Sequence, residues 1–235
     1  MLISVATSHV RHSIGAYPSV APGQTADERV AEIINHAGRQ LYSRPWRFRE
    51  QSTTLDTTAD SRVVALPTSA ALAFEELVSL TRTVDGRPLE MSTVEDMDHL
   101  SDALGGTNIS GYVSRASIAW TSGDPQLLIW PTPSSADTDV LRIRYRKAWE
   151  TITGTDVDTN TKTIGMPGYA EQVFIAYLRA FAQGYEDESM TARLAEVEAG
   201  PILQTAMMKD GIQNRDVGRL KSQRGSTFRR GRVRA

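Results

Sequence analysis

Val140-Leu141-Arg142-Ile143-Arg144-Tyr145-Arg146-Lys147 alternates with a period of two: apolar side chains at 141, 143 and 145, arginines at 142, 144 and 146. That period puts the two sets on opposite faces of an extended chain, so the stretch reads as a half-buried strand. Working back from it, Pro131-Thr132-Pro133-Ser134-Ser135 is a break. Before the break, Leu127–Trp130, Ser117–Trp120 and Gly111–Ser114 read as three short strands. Glu95–Leu104 reads as a short helix ahead of Gly105-Gly106. Earlier still, Leu77–Val84 reads as a strand, the Asp85-Gly86 turn follows, and Leu89–Ser92 resumes it. Arg62–Leu66 is a strand closed by Pro67, and Asp56–Asp60 is a turn after Trp46, Phe48 and Leu55. Residues 46–151 therefore form a β-rich region, most simply a small antiparallel sandwich or barrel-like domain.

On both sides of that region the period becomes helical. Thr25 and Glu28 have the spacing of a capping box, and Val30, Ile33, Ile34, Ala37 and Leu41 follow on one helix face. Arg44-Pro45 stops this helix. Downstream, residues 152–166 are rich in Thr, Asp and Gly and read as a polar loop. Pro167 then opens a helix with Val173, Phe174, Tyr177, Ala180 and Phe181 on its apolar stripe. A further helix begins near Glu188, with Met190, Leu194 and Val197 on its inner face and Gly200-Pro201 as a kink or break. The expected fold is α+β: a helical bundle of one N-terminal helix (25–45) and two C-terminal helices (167–210), with the β domain inserted between them. Residues 1–24 are an extended lead-in, and 211–235 an extended C-terminal arm. No internal repeat is evident.

The chain has 235 residues and a formal net charge of −2, with 40% hydrophobic and 23% charged residues. These values fit a folded globular chain. No apolar run approaches the length of a membrane span, so no membrane is expected. Met1–Val5 lacks a basic segment ahead of it and Arg11 and His12 follow at once, so no signal peptide is expected, and the chain reads as one made and used in the cytoplasm. There are no cysteines, which removes disulfides, thiolate metal sites and cysteine nucleophiles.

The small net charge conceals an asymmetry. Residues 215–235 carry Arg215, Arg219, Lys221, Arg224, Arg229, Arg230, Arg232 and Arg234 against Asp216 alone, a surplus of +7 that leaves −9 on the rest. With only Val217, Leu220, Phe228 and Val233 as apolar residues, this segment cannot build a core of its own. It reads as an arm that orders on a negatively charged partner, nucleic acid or acidic protein, with Val217, Leu220 and Phe228 as anchors that favour protein.

Chemistry-bearing patterns are sparse. His9 and His12 lack a third metal ligand, and His36 and His99 stand apart from any triad pattern. Asp156-Val157-Asp158-Thr159-Asn160 opens like a calcium loop, but Thr161 stands where the turn glycine belongs and Pro167 where the bidentate Glu belongs. The Gly105–Gly111 stretch lacks the Lys-Ser/Thr of a phosphate loop and reads as a hairpin connection. No metal, no cofactor and no enzymatic activity are expected. Trp46, Trp120, Trp130 and Trp149 invite a sugar-binding reading, against a plain role as core and rim aromatics. Arg142, Arg144 and Arg146 line one face, which suits DNA or the acidic surface of a neighbouring copy.

Five blocks occur in a familiar order: Trp46-x-Phe48; Val63-Val64-Ala65-Leu66-Pro67; Leu128-Ile129-Trp130-Pro131-Thr132-Pro133; Leu141-Arg142-Ile143-Arg144-Tyr145; and Met166-Pro167-Gly168-Tyr169 before an Ala-rich helix pair. Over about residues 25–210 this order resembles the head-to-tail adaptor proteins of tailed bacteriophages, especially the tail tubular protein A type of short-tailed phages. The resemblance implies a ring of about twelve copies in the virion neck, below the portal and enclosing the DNA channel. It implies that the arm binds the portal protein through Arg215, Arg219, Leu220, Lys221, Arg224, Phe228, Arg229, Arg230, Arg232 and Arg234. Tail tube, nozzle or other neck proteins would dock on the β side. Arg142, Arg144 and Arg146 would face a neighbouring subunit or the channel, and genomic DNA would pass without sequence-specific binding. The alternatives are a nucleic-acid-binding accessory protein using the basic tail and a carbohydrate-binding tail protein using the tryptophans.

Overall fold

A computed structural model describes residues 1–14, 22–69, 72–103, 112–121, 124–159, 162–183 and 188–211. Among these the fold is α+β, with six α-helices and two β-sheets. The chain divides into two compact units, one from Met1–Phe48 with Thr151–Ala235 and one from Arg49–Glu150.

In the first unit, α2 (Ala26–Tyr42) starts as its sequence dictates. Thr25 Oγ1 accepts the Glu28 N–H at 3.2 Å, and Glu28 Oε2 accepts the Thr25 N–H at 2.7 Å. Val30, Ile33, Ile34, Ala37 and Leu41 are buried. At its C-terminus the fully buried Trp46 donates its indole N–H to the Leu41 carbonyl at 2.7 Å, supplying a partner to one of the carbonyls a helix end leaves open. The central helix is α5 (Gly168–Gln183), which packs against α1, α2 and α6. Its buried Val173, Phe174, Tyr177 and Leu178 each contribute roughly 1.5–3 kcal/mol of apolar transfer.

Three expectations for this unit need correction. Residues 1–24 are not an extended lead-in throughout: Ile3–Ile14 is helix α1, with Ile3, Ala6, Thr7 and Val10 buried on one face against α5 and α2. A buried threonine in the stripe hides its period. Residues 152–166 are not wholly loop: Gly154–Thr159 is helix α4, capped by Thr153, whose backbone N–H donates to Asp156 at 2.8 Å. Asp156 is therefore committed to a helix cap, and its carboxyl lies below its ordinary value because of that N–H bond, against the opposing effect of burial. Gly154 is demanded by close approach, since a Cβ there would stand 3.2 Å from the Glu28 backbone nitrogen. Finally, of the kink or break expected at Gly200-Pro201 the break is excluded, since α6 runs from Glu188 to Asp210 with Pro201 inside it.

The return of the chain into this unit is fixed by one buried side chain. Asn35 Nδ2 donates to the Ile152 carbonyl at 2.7 Å, and its Oδ1 accepts the Ile152 N–H at 2.8 Å.

The second unit holds β1 (Glu50–Thr57), β2 (Val63–Ala65), β3 (Phe74–Arg82), β4 (Glu90–Met91), α3 (Val94–Ala103), β5 (Arg115–Thr121), β6 (Asp124–Trp130) and β7 (Asp137–Lys147). One sheet has the order β1-β7-β3, the other β2-β6-β5-β4. Both are open, so the barrel-like alternative is excluded. All pairings are antiparallel except the short parallel β4–β5 pair. Leu55, Leu80, Leu141, Ile143 and Tyr145 from the first sheet join Val64, Ala116, Leu127 and Ile129 from the second in one apolar cluster. The strand nominated by its alternation, β7, is the central strand of its sheet because its apolar half is fully buried while its arginine half faces outward. The strand expected at Leu77–Val84 begins earlier, at Phe74, and Val113–Ser114 lies outside the strands, just before β5.

Replacing Asn35 with alanine strands the N–H and carbonyl of Ile152 in a buried setting, at roughly 1–3 kcal/mol for each group. Urea unfolding of Asn35→Ala should show a clearly lowered midpoint with an unchanged slope. A midpoint equal to that of the wild type would remove this pair from the stability argument.

Candidate functional site

The outward face of the β1-β7-β3 sheet carries the arginine strand. Register places Glu50 and Glu76 on the two flanking strands, both opposite Arg146. Arg144 donates to Glu50 at 2.5 Å, and Arg146 donates to Glu76 at 2.6 Å with a second approach of 4.0 Å to Glu50. Arg142 lies opposite Thr54 and Thr81, is exposed, and has no ion-pair partner among the described residues. Two of the three cations are thus balanced within their own sheet. Such partly exposed pairs add little stability, about 0–1 kcal/mol each, but they remove the uniform positive field that a phosphate backbone needs. At the entrance to β1, the buried Arg49 donates to the Lys147 carbonyl at 2.9 and 3.1 Å and pairs with Glu75. This ties the first residue of the unit to the end of its last strand.

The tryptophans do not form a platform. Trp46 is buried in the helical unit rather than in the β region. Trp120 is exposed and pairs with Pro125, while Trp130 pairs with Arg115, so the two sit at opposite ends of the β5–β6 ladder. Trp46, Trp120 and Trp130 therefore do not share one stacking face. Among the described residues, no three His, Asp or Glu side chains gather as a metal would require. His9 is pushed below its ordinary value by burial, then by the charges of Arg179 and His12. His36 stacks on Phe181 at 6.0 Å.

The arm residues Arg215, Arg219, Leu220, Lys221, Arg224, Phe228, Arg229, Arg230, Arg232 and Arg234 lie outside the described residues, as does the Gly105–Gly111 connection. The root of the arm is described, and it is built with care. Asp210, the last residue of α6, is almost fully buried. Its carboxylate accepts the Arg47 backbone N–H at 2.6 Å and the Tyr169 hydroxyl at 2.5 Å. A carboxylate at a helix C-terminus faces the negative end of the helix dipole, so these two donors are what make the position tenable. Gly211 follows at φ +76°, its N–H donating to the Met208 carbonyl at 3.1 Å, the glycine turn that ends many helices. A side chain there would also meet the Arg47 guanidinium at 3.2 Å. Beside this latch a groove of about 460 Å³ runs between α5 and α6. Sequence reading located the charged arm but not its anchor, because Arg47, Tyr169 and Asp210 are far apart in the chain and none belongs to a motif.

With this geometry described, the comparisons with known proteins can be placed. The family model for SU10 adaptor protein matches residues 5–234, nearly the whole chain. The protein belongs to the SU10 adaptor protein family. This agrees with the resemblance to phage head-to-tail adaptors and extends it beyond residues 25–210 to α1 and to the basic arm. Membership supports a structural bacteriophage adaptor role in the virion. No curated protein sequence matches the chain. No helix among the described residues is long and apolar enough to cross a membrane.

Burial, then the bond to Asp210 and its charge, push the Tyr169 phenol well above its ordinary value of 10.0. The folded form therefore holds this proton more tightly than the unfolded chain. The stability it contributes is complete below pH 10 and declines as the pH rises further. Tyr169→Phe should cost about 1.5–3 kcal/mol near neutral pH through the lost bond to a charged acceptor. Thermal denaturation of both proteins from pH 8 to 11.5 should show that difference shrinking above pH 10; a constant difference would mean that the hydroxyl is not the source.

Proposed function

We propose that this protein is the head-to-tail adaptor of a tailed phage, forming a ring of about twelve copies in the virion neck below the portal and continuing the DNA channel. The observation that carries the reading is the family match, which spans both units and the basic arm. In this arrangement the helices of the first unit close as a bundle, and the two sheets of the second pack as a sandwich inserted into it. The C-terminal arm binds the portal protein. The β unit meets the tail tube, nozzle or other neck proteins. The protein is made in the host cytoplasm and acts as a structural part rather than an enzyme.

Charge distribution supports the same reading. A body of net charge −9 repels a polyanion along its length, so DNA passes without adhering and without sequence-specific contact. The sheet arginines are consistent with this, since Glu50 and Glu76 already occupy Arg144 and Arg146. A basic arm that orders on contact joins the ring to the portal only when the portal is present, which gives assembly its order.

Quantitative mass spectrometry of purified virions should give a ratio of this chain to the portal near one. Deleting residues 212–235 should leave a folded body that no longer enters particles. Absence from virions would remove the adaptor reading, and a truncated chain that still assembles would remove the arm from portal attachment.

A further inference from the structure

We propose that the β unit carries, at the end opposite its two chain connections, a preformed cleft that docks a basic segment of a tail-side neck protein through one aliphatic or aromatic side chain. This rests on the reading of the protein as a neck adaptor whose β unit meets the tail, and it names the docking surface and the chemistry of its occupant. The chain enters and leaves this unit at Arg49 and Glu150, beside the Glu50–Arg146 rung. The cleft lies at the other end of the same strands, at the Thr57–Asp137 rung, roughly 23 Å away along β1. Its volume is about 560 Å³, and its apolar wall is Val84, Tyr112, Val113, Pro133 and Val140.

Val84 is 76% exposed and Tyr112 72%, the two most exposed large apolar side chains among the described residues. Single exposed apolar residues are ordinary, but these two share one wall with three more. Both are held in place. The Gly86 N–H donates to the Arg82 carbonyl at 3.0 Å and closes the turn that carries Val84, with Gly86 at φ +67°. The Thr83 N–H donates to the Val140 carbonyl at 2.9 Å and ties that turn to β7. The Asp60 N–H donates to the Pro133 carbonyl at 2.9 Å and joins two further loops of the same end. The Arg82 guanidinium sits 5.3 Å from the centre of the Tyr112 ring, whose face attracts a cation. A wall fixed before binding loses little conformational freedom when a partner arrives, so its apolar area is converted into affinity more fully.

Charge identifies the occupant. The segments framing the cleft, 56–61, 82–87, 112–114 and 131–140, hold five aspartates and two arginines. Both arginines lie against Asp85, Arg82 at 2.5 Å and Arg87 at 3.7 Å. The surplus of negative charge therefore rests on Asp56, Asp60, Asp137 and Asp139, all exposed. No three acidic or histidine side chains among the described residues gather as a cation site would need, so this charge is spread along a rim. Such a rim repels a polyanion or an acidic peptide and attracts lysine or arginine. An apolar wall with an acidic rim is matched by an aliphatic or aromatic side chain flanked by cations. The buried anchor then supplies most of the affinity, and the rim charges set the rate of encounter and the choice of partner.

Val84→Asp extends the negative rim into the apolar wall, and at so exposed a position the purified variant should melt within about 2 °C of the wild type. In virus carrying it, mass spectrometry of purified heads should find the wild-type ratio of this chain to the portal. Electron microscopy should show the fraction of heads bearing tails reduced at least about tenfold. Asp137→Asn combined with Asp139→Asn keeps the shape of the rim and removes its charge, and should reduce that fraction several-fold. Trp120→Asp, at the other end of the β5–β6 ladder, should leave it unchanged. Fully tailed Val84→Asp particles overturn the proposal. So does an equal loss in Trp120→Asp, or a Val84→Asp chain missing from heads. An unchanged fraction in the double variant overturns the basic character of the occupant. A wild-type oligomer that Val84→Asp dissolves in sedimentation would assign the cleft to a second copy and overturn it as well. Failure of the adaptor reading is a separate result, absence of the wild-type chain from virions.

Discussion

Two hydrogen bonds from one buried amide hold the returning chain to the helical unit. The chain leaves that unit after Phe48 and comes back at Thr151, about a hundred residues later. Ile152 lies outside any helix or strand, with a donor and an acceptor that no sheet satisfies. Asn35, on the inner face of α2, satisfies both. An aliphatic residue there would fit the apolar stripe of α2 but would leave the crossing unpaired. The packing of α5 on α2 depends on where the chain re-enters, so the most central helix of the unit rests on this contact.

The sequence was most legible where one physical signal stood alone. Thr25, Glu28 and five apolar residues at helical spacing specified α2, and the alternation around Arg144 specified β7 and its buried face. Legibility failed where a polar residue occupied an apolar position, as Thr7 does in α1, or where an element was too short to show a period, as with the six residues of α4. Pro201 misled because a proline is costly within a helix; packing against α5 carries α6 through it. The candidate surfaces divided in the same way. A block of cations is visible in composition. The glutamates that balance Arg144 and Arg146 are not, because Glu50 and Glu76 become neighbours only through strand register, 94 and 70 residues away.

These charges are ordered on two scales. Within the β1-β7-β3 sheet, Glu50 and Glu76 balance Arg144 and Arg146 while Arg142 faces threonines, so the positive charge of the face is largely offset. Along the whole chain they are separated, with acid in the body and base at the C-terminal end. The first arrangement offsets charge locally, and the second concentrates it in one segment of the sequence. A single net charge of −2 conceals both arrangements.

The tie between Arg49 and the Lys147 carbonyl, next to the Glu50–Arg146 rung, means that the β unit begins and ends at the same place. A segment whose two ends meet behaves as a cassette. It can be lengthened, shortened or exchanged for another with little entropic penalty, because the host chain sees the same short gap whatever fills it. This geometry lets the β unit vary while the helical unit that hosts it is preserved.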